Sequence, residues 1–360
     1  MAAGKKRIVL TGGGTAGHVT PNMALIPYLR ERDYDIHYIG SYQGIERSLM
    51  EDMGIPYQGI AAGKLRRYFS LQNFTDPFRV LKGFAEANKL LKVLDPDIVF
   101  SKGGFVAVPV VIAAKRNKIP VIIHESDITP GLANKLCFSS AERICCNFPE
   151  TLSKLPEKKA VLTGTPIRDE LKQGDPEKAR EFTGFHDDKP VIMIMGGSQG
   201  SVAVNQAVRM ILPELLKQFN VVHLCGKGKT DPSLEQTEGY RQYEYIKDEL
   251  KDLLALSTLM ISRAGANAIC ELLALNKPNI LIPLSQKGSR GDQILNAESF
   301  ASQGFSVVIA EEELTKELLL EKIREVYENR ESYQKAMAEK GQNNAIEIIL
   351  KLIRECEKQN

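Results

Sequence analysis

The stretch RIVLTGGGTAGHVT, residues 7–20, joins a short apolar run to a glycine-rich loop. The stretch VIMIMGGSQGS, residues 191–201, repeats this order, and its first glycine follows that of the first loop by 184 residues (196 − 12). A glycine loop between a buried strand and an amphipathic helix turns the chain sharply and points a helix N-terminus at an anion. The chain therefore begins in the same way twice, which predicts two Rossmann-like halves.

Short apolar runs alternate with helical patterns along both halves, as in parallel sheets built from βαβ units. The predicted strands are residues 7–10, 35–39, 98–101, 121–124, 143–146, 191–195, 221–225, 259–262 and 279–282. A proline and glycine cluster at 164–166 predicts a domain boundary, with an N-terminal domain of residues 1–164 and a C-terminal domain of residues 165–342. The last segment, about residues 343–360, is predicted to be a helix that packs against the first domain through Ala345, Ile348, Ile349 and Leu352.

The composition is that of an ordinary globular protein. Of 360 residues, 43% are hydrophobic and 26% are charged, with 47 Lys and Arg against 45 Asp and Glu, so binding to nucleic acid is not expected. The six cysteines form no C-x-x-C pair, as expected in a reducing compartment. The N-terminus lacks a signal-peptide core, and the longest apolar run, residues 105–114, is shorter than the ~20 residues that span a bilayer. We therefore expect only peripheral contact with a membrane.

Two other functions fit the glycine loops less well. The G-x-G-x-x-G pattern at residues 12–17 matches the dinucleotide fingerprint, which also requires an acidic residue where the second strand ends, but that strand ends in YIGS (38–41). The second loop resembles the nucleophile elbow of α/β-hydrolases around Ser198, yet the histidine that follows it, His223, lies in the middle of a strand. Ser198 is therefore predicted to donate to a phosphate.

Asp95 and Asp97 form a D-x-D pattern, which can bind a metal ion. The pattern directly precedes the strand predicted at 98–101, so it lies at the amino edge of the sheet, away from the ligand edge. We interpret it as a turn.

Polar clusters follow several predicted strands at their carboxyl ends, where open parallel sheets bind ligands. They are SKGG at residues 101–104, HESD at 124–127 and RAGANAICE at 263–271. His18 follows the first glycine loop at a predicted helix start, where the helix dipole favours the neutral imidazole that a general base requires. The sequence thus predicts an anion-binding site with His18 as a candidate base.

The sequence closely resembles the MurG family of UDP-N-acetylglucosamine:lipid I transferases over nearly its whole length. The motifs that carry the resemblance are GGGTAGH (12–18), SKGGFVAVP (101–109), HESDITPGLANK (124–135), GTPIR (164–168), GGSQGS (196–201), SRAGANAICE (262–271) and GDQILNA (291–297). The resemblance implies an α/β protein of the GT-B fold, with two Rossmann-like domains facing across a cleft. It also implies inverting transfer of N-acetylglucosamine from UDP to the C4 hydroxyl of lipid-linked N-acetylmuramyl-pentapeptide, in peptidoglycan synthesis, without a metal or other cofactor.

The resemblance assigns UDP-N-acetylglucosamine to the C-terminal domain. Arg168 and Ser198 would bind the diphosphate, and Ile246 would receive the uracil through its backbone. The start of one helix would surround the nucleotide, and Glu271 in it would contact the ribose hydroxyls. The residues of this helix start are Ala266, Asn267, Ala268, Ile269, Cys270 and Glu271. The remaining donor contacts would come from Asp292 and Gln293 to the sugar hydroxyls and, from the N-terminal domain, from Thr15, Ala16 and Gly17.

The undecaprenyl-diphosphate-linked acceptor would meet the glycine loops of the N-terminal domain at Gly13, Gly14, Gly103 and Gly104. Two residues are candidates for the catalytic base, His18 and Asp127. The family often has Asn where Asp127 stands and Gly where Ala16 stands, so Asp127 is an alternative base or a hydrogen-bond acceptor to a sugar.

Basic and aromatic residues interleave from position 64 to position 84, with Asp76 as the only acid before 84. This composition is typical of a surface that lies on anionic lipid, and its residues include Lys64, Arg66, Arg67, Phe69 and Phe74. The alternative is that the aromatic residues fill the N-terminal core. With a lipid-linked acceptor, we expect peripheral attachment at the cytoplasmic face of the bacterial plasma membrane.

Two alternative functions stay open from the sequence. One is a related glycolipid synthase with another acceptor. The other is a UDP-sugar epimerase, which shares the two-domain fold.

Overall fold

The computed structural model describes residues 5–63, 76–197, 199–286, 291–340 and 344–358. The chain forms two compact units. Unit 1 is Met1–Arg168 with Asn343–Asn360, and unit 2 is Asp169–Gln342.

In its described part, unit 1 is built on a seven-stranded parallel sheet in the order β3-β2-β1-β4-β5-β6-β7. The strands are β1 (Arg7–Thr11), β2 (Asp35–Ser41), β3 (Tyr57–Ile60), β4 (Ile98–Ser101), β5 (Val121–Glu125), β6 (Arg143–Cys146) and β7 (Ala160–Leu162). Five helices connect them: α1 (Thr20–Glu31), α2 (Ile45–Asp52), α3 (Asp76–Leu94), α4 (Ala107–Arg116) and α5 (Leu132–Cys137). The central strands are buried runs of Val, Ile and Leu because helices cover both faces of the sheet.

Unit 2 repeats the architecture on a six-stranded parallel sheet in the order β10-β9-β8-β11-β12-β13. The strands are β8 (Val191–Met195), β9 (Asn220–Leu224), β10 (Tyr240–Tyr243), β11 (Ser257–Ser262), β12 (Asn279–Leu281) and β13 (Ser306–Val308). The helices are α6 (Pro176–Thr183), α7 (Val202–Leu215), α8 (Leu250–Leu256), α9 (Ala266–Ala274), α10 (Asp292–Ser302), α11 (Lys316–Glu328) and α12 (Arg330–Lys340).

The last helix, α13 (Ala345–Cys356), belongs to unit 1. Its apolar stripe, with Ile349 and Ile353 fully buried, lies in the same core as Ile8 and Leu10 of β1. At the amino edge of the sheet the chain end is held by polar contacts, since Lys6 Nζ donates to the Lys358 carbonyl (2.6 Å).

All nine predicted strands are present, with ends that differ by at most two residues. Four strands escaped prediction: β3, β7, β10 and β13. These four are the edge strands of the two sheets. An edge strand is short and half-exposed, as in YRQY of β10, so it lacks the apolar run that marks a central strand.

The interpretation of Asp95 and Asp97 as a structural turn is confirmed. Asp97 accepts from the Arg7 backbone N–H (2.7 Å), and Asp95 pairs with Lys358 (2.7 Å). Both carboxylates therefore lie at the amino edge of the sheet, opposite the glycine loops.

Within the described residues, none of the helices combines the length and hydropathy that a membrane span requires.

Candidate active site

Each sheet has one topological switch point, where the strand order reverses and a crevice opens at the carboxyl edge. In unit 1 it lies between β1 and β4, so the loop at residues 12–18 adjoins the loop at 102–104. In unit 2 it lies between β8 and β11, so the glycine loop after β8 adjoins the start of α9. The predicted site residues thus gather at the ligand edge of each unit.

His18 lies in a short 3-10 turn, Ala16–His18, two residues before α1 begins. Its Nδ1 is 3.1 Å from the Gly13 carbonyl oxygen and 3.1 Å from Thr15 Oγ1. A carbonyl can only accept, so Nδ1 carries the proton and the lone pair of the neutral ring is on Nε2. This is the tautomer that a base acting through Nε2 requires.

Behind the same loops, Lys102 and His124 form a buried pair. Lys102 Nζ donates to His124 Nδ1 (2.6 Å) and to Ser126 Oγ (2.5 Å), and His124 Nε2 donates to the Gly164 carbonyl (2.8 Å). Burial, reinforced by the Lys102 charge, holds the pKa of His124 well below its usual value. A neutral His124 therefore links the β4 and β5 loops to the segment that leads out of unit 1.

Glu125 organises the HESD loop. Its carboxylate accepts from the backbone N–H groups of Ser126 (2.9 Å), Asp127 (3.1 Å) and Gly131 (2.9 Å), and from Asn134 Nδ2 (2.8 Å). Burial raises the pKa of Glu125, and these hydrogen bonds oppose the rise. Asp127 is thereby fixed at the carboxyl end of β5, with its side chain half-exposed.

The other predicted residues of unit 1 line its carboxyl edge. Gly14 and Thr15 are exposed, while Ala16, Gly17 and Arg168 are half-buried. Gly103 and Gly104 follow β4, and both have positive φ (88° and 82°).

In unit 2, Arg263 braces three loops at the ligand edge. Its guanidinium donates to Ser201 Oγ (2.6 Å), to the Ile282 carbonyl (3.0 Å) and to Glu311 (2.8 Å). The hydrogen bond from Arg263 holds the pKa of Glu311 below its usual range. Ser201 also caps α7 by accepting from the Val204 N–H (3.3 Å). Through its hydrogen bond to Ser201, Arg263 therefore holds the end of the glycine loop in place.

Helix α9 begins at the switch point with Gly265 as its N-cap. The side chains of Ala266, Ile269 and Cys270 are buried in the core, whereas Asn267, Ala268 and Glu271 are half-buried. The second group therefore supplies the side chains that can reach a ligand, and the first can contribute only backbone groups. Ile246, in the loop after β10, is likewise buried.

Asp292 and Gln293 open α10, and both are half-buried. Gln293 Oε1 accepts from the Leu284 N–H (3.0 Å), which leaves its amide NH2 as the end that can donate to a sugar hydroxyl. Ser198, predicted to bind the diphosphate, lies outside the described residues.

His223 lies within β9, as predicted from the sequence, and neighbouring side chains hold its ring. Its Nε2 donates to Asn205 Oδ1 (3.0 Å), its Nδ1 accepts from the Tyr240 hydroxyl (3.0 Å), and Asn205 donates to the Cys225 carbonyl (2.9 Å). Burial lowers the pKa of His223 to about 3.

This lowered pKa predicts acid-sensitive stability. The unfolded chain binds the His223 proton near pH 6.5 and the folded chain only near pH 3, so the unfolded state binds more protons between these values. The free energy of unfolding should therefore be about 1.4 kcal/mol lower at pH 5.5 than at pH 7.5 from this group alone. Urea unfolding of wild type and His223→Gln at both pH values checks this. Equal pH dependence in the two proteins would contradict it.

Two parallel sheets, each with a glycine loop and a helix start at its switch point, form the GT-B architecture. The sequence matches the glycosyltransferase family 28 N-terminal domain over residues 8–146 and the family 28 C-terminal domain over residues 191–352. The chain belongs to this family and, within it, to the MurG family.

Similar proteins support this assignment both by sequence and by structure. The chain is 65% identical to the UDP-N-acetylglucosamine--N-acetylmuramyl-(pentapeptide) pyrophosphoryl-undecaprenol N-acetylglucosamine transferase of Lachnoclostridium phytofermentans, over 97% of this chain and 99% of the relative. Its structure is similar to that of Acinetobacter baumannii MurG, with a TM-score of 0.74, 25% identity, and coverage of 97% and 99% of the two chains. The "putative UDP-N-acetylglucosamine 2-epimerase" of Listeria monocytogenes shares the fold alone, at a TM-score of 0.71 and 14% identity over 98% and 96% of the two chains.

Sequence reasoning missed the side chains that hold the loops in place, Glu46, Asn134 and Glu311. Asn134 lies within the HESDITPGLANK motif but had no role assigned to it, whereas no local pattern marks Glu46 or Glu311.

Proposed function

We propose that this protein transfers N-acetylglucosamine from UDP-N-acetylglucosamine to the C4 hydroxyl of an undecaprenyl-diphosphate-linked N-acetylmuramyl-pentapeptide. The observation that carries the proposal is the 65% identity, over 97% of the chain, to a relative whose name specifies this donor and this acceptor. An epimerase and a synthase with another acceptor are the less favoured alternatives, since the epimerase likeness is one of fold.

Unit 2 would bind the donor. The N–H groups and dipole at the start of α9 favour the diphosphate, with Ser198 as a further donor to its oxygens. Arg168, the last residue of unit 1 before unit 2 begins, stays a predicted donor to the same oxygens. Glu271, one turn further along the same helix, would accept from the ribose hydroxyls. Charge that develops on UDP as it departs is thereby met by fixed dipoles and donors.

Unit 1 would bind the acceptor and supply the base. His18 Nε2 takes the proton from the C4 hydroxyl, the C4 oxygen bonds to C1 of the donor sugar, and the bond from C1 to the diphosphate oxygen breaks. UDP leaves with the electron pair. One displacement inverts the anomeric carbon, and the Gly13 carbonyl stabilises the imidazolium by accepting from Nδ1.

Peripheral attachment to the cytoplasmic face of the membrane is part of the proposal. Lys64, Arg66, Arg67, Phe69 and Phe74 lie outside the described residues. The first described turns of α3 continue this segment with an exposed apolar and basic surface: Phe78, 74% exposed, Leu81, 65% exposed, Arg79 and Lys82. Phe84, by contrast, packs against the unit 1 core, so the surface ends before it.

This surface predicts a lipid-binding defect. Changing Phe78 and Leu81 to Ser should weaken binding to phosphatidylglycerol vesicles by at least about 10-fold, because burying one such side chain contributes about 1.5–3 kcal/mol. The matched control is Val93→Ser, which removes a 75%-exposed apolar side chain at the other end of α3. Sedimentation with vesicles measures this binding. The triple variant with Lys64, Arg66 and Arg67 changed to Ser should show the same defect in the same assay. Wild-type binding by both multiple variants would contradict the assignment.

The transfer itself is tested with purified protein and radiolabelled UDP-N-acetylglucosamine. We expect label in the extracted lipid when lipid-linked muramyl-pentapeptide is present, and none with diacylglycerol. Label that stays in a UDP-sugar of changed configuration would identify an epimerase. Label attached to diacylglycerol would identify the alternative function, a related glycolipid synthase with another acceptor.

A further inference from the structure

A carboxylate lies beneath the first glycine loop. Glu46, in the first turn of α2, is fully buried, and its Oε1 accepts from the backbone N–H (3.0 Å) and hydroxyl (2.5 Å) of Ser41. Its Oε2 accepts from the Gly14 N–H (3.4 Å). In the described part of the chain, no Lys, Arg or His side chain lies within ion-pair distance of it. A buried carboxyl group is costly unless its oxygens are hydrogen-bonded, so its place beneath the loop calls for a physical reason.

The Gly13 peptide is held between two neighbours. On one side, a Cβ at position 13 would lie 2.6 Å from Glu46 Oε1. On the other, a Cβ at Gly104 would collide with the Gly13 carbonyl. This same carbonyl accepts the His18 Nδ1 proton. Glu46 therefore fixes the peptide that sets the His18 tautomer.

We propose that Glu46 is a positioning residue for His18. By holding the Gly13–Gly14 peptides it keeps the Gly13 carbonyl on Nδ1–H, so that the lone pair stays on Nε2. The kinetic consequence rests on the proposed function, in which Nε2 is the base, while the tautomer itself does not.

The direct test is nitrogen NMR of the imidazoles in protein labelled with 15N-histidine, which is tractable because the chain has five histidines. His18 is assigned from its loss in His18→Ala. In wild type we expect the Nδ1–H form at neutral pH. In Glu46→Gln we expect a shift towards the Nε2–H form. The matched control, Glu51→Gln, removes an exposed carboxylate from the same helix and should leave the His18 signals unchanged.

Steady-state kinetics supply the second measurement. Glu46→Gln should lower kcat by about 10-fold or more and leave the KM for UDP-N-acetylglucosamine unchanged. In a His18→Ala background the same change should cost no further activity.

Unchanged His18 signals in Glu46→Gln would overturn the proposal. Altered signals together with an active His18→Ala protein would support the positioning role and reject His18 as the base. If Glu46→Gln does not fold, Ser41→Ala, which removes one hydrogen bond to Glu46, should give the same tautomer shift at smaller amplitude, and its absence would overturn the proposal.

Discussion

The His18→Ala variant is expected to lose about 10²–10⁴-fold in kcat, the contribution that general-base catalysis typically makes. The Gly13 carbonyl fixes the ring with its lone pair on Nε2, and removing the ring leaves the acceptor hydroxyl to lose its proton to water. Affinity for UDP-N-acetylglucosamine should change little, because the donor is assigned to unit 2. Calorimetric titration of the donor and steady-state turnover separate these two quantities.

Asp127 is the competing candidate for the catalytic base, and it is held in place by different contacts from those of His18. Its backbone is fixed by Glu125 (3.1 Å), and its side chain is half-exposed at the end of β5. We expect Asp127→Ala to lower kcat less than His18→Ala. If Asp127→Ala has the larger effect and His18→Ala a small one, the two roles must be exchanged.

Loss of the Glu271 carboxylate is expected to raise the KM for UDP-N-acetylglucosamine by about 10- to 150-fold. A hydrogen bond to a charged group contributes about 1.5–3 kcal/mol, and Glu271 lies on the helix that opens at the unit 2 switch point. Glu271→Ala is compared with Glu298→Ala, which removes an exposed carboxylate from α10 of the same unit and should leave KM unchanged. Unchanged donor affinity in Glu271→Ala would remove this residue from the site.

The parts of the fold that the sequence predicted are those with a strong local pattern. The strands on either side of the switch points, such as β1 and β8, are buried on both faces and read as unbroken apolar runs. The edge strands β3 and β10 carry Gln, Gly, Arg and Tyr, because one side of each strand has no partner. Their pairing depends on neighbours far along the chain, which a local pattern does not encode.

The residues of the candidate site likewise fall into those that a local pattern predicted and those that it did not. Glycine loops and polar clusters directly follow predicted strands, so their place at the ligand edge follows from the parallel topology. The residues that hold them do not lie nearby in sequence, since Arg263 reaches Ser201 and Glu311 at separations of 62 and 48 residues. Glu46 reads in the sequence as an ordinary acidic residue in a first helical turn, and only its full burial against Gly13 distinguishes it.

The most direct test of the central claim is the linkage in the product. We expect one displacement at C1 of an α-linked donor by the C4 oxygen of the muramyl sugar. Proton NMR of the disaccharide released from the extracted lipid should therefore show a β-1,4 linkage, with the large H1–H2 coupling of a diaxial pair. An α linkage, or attachment at another hydroxyl, would contradict single displacement by a base-activated C4 oxygen.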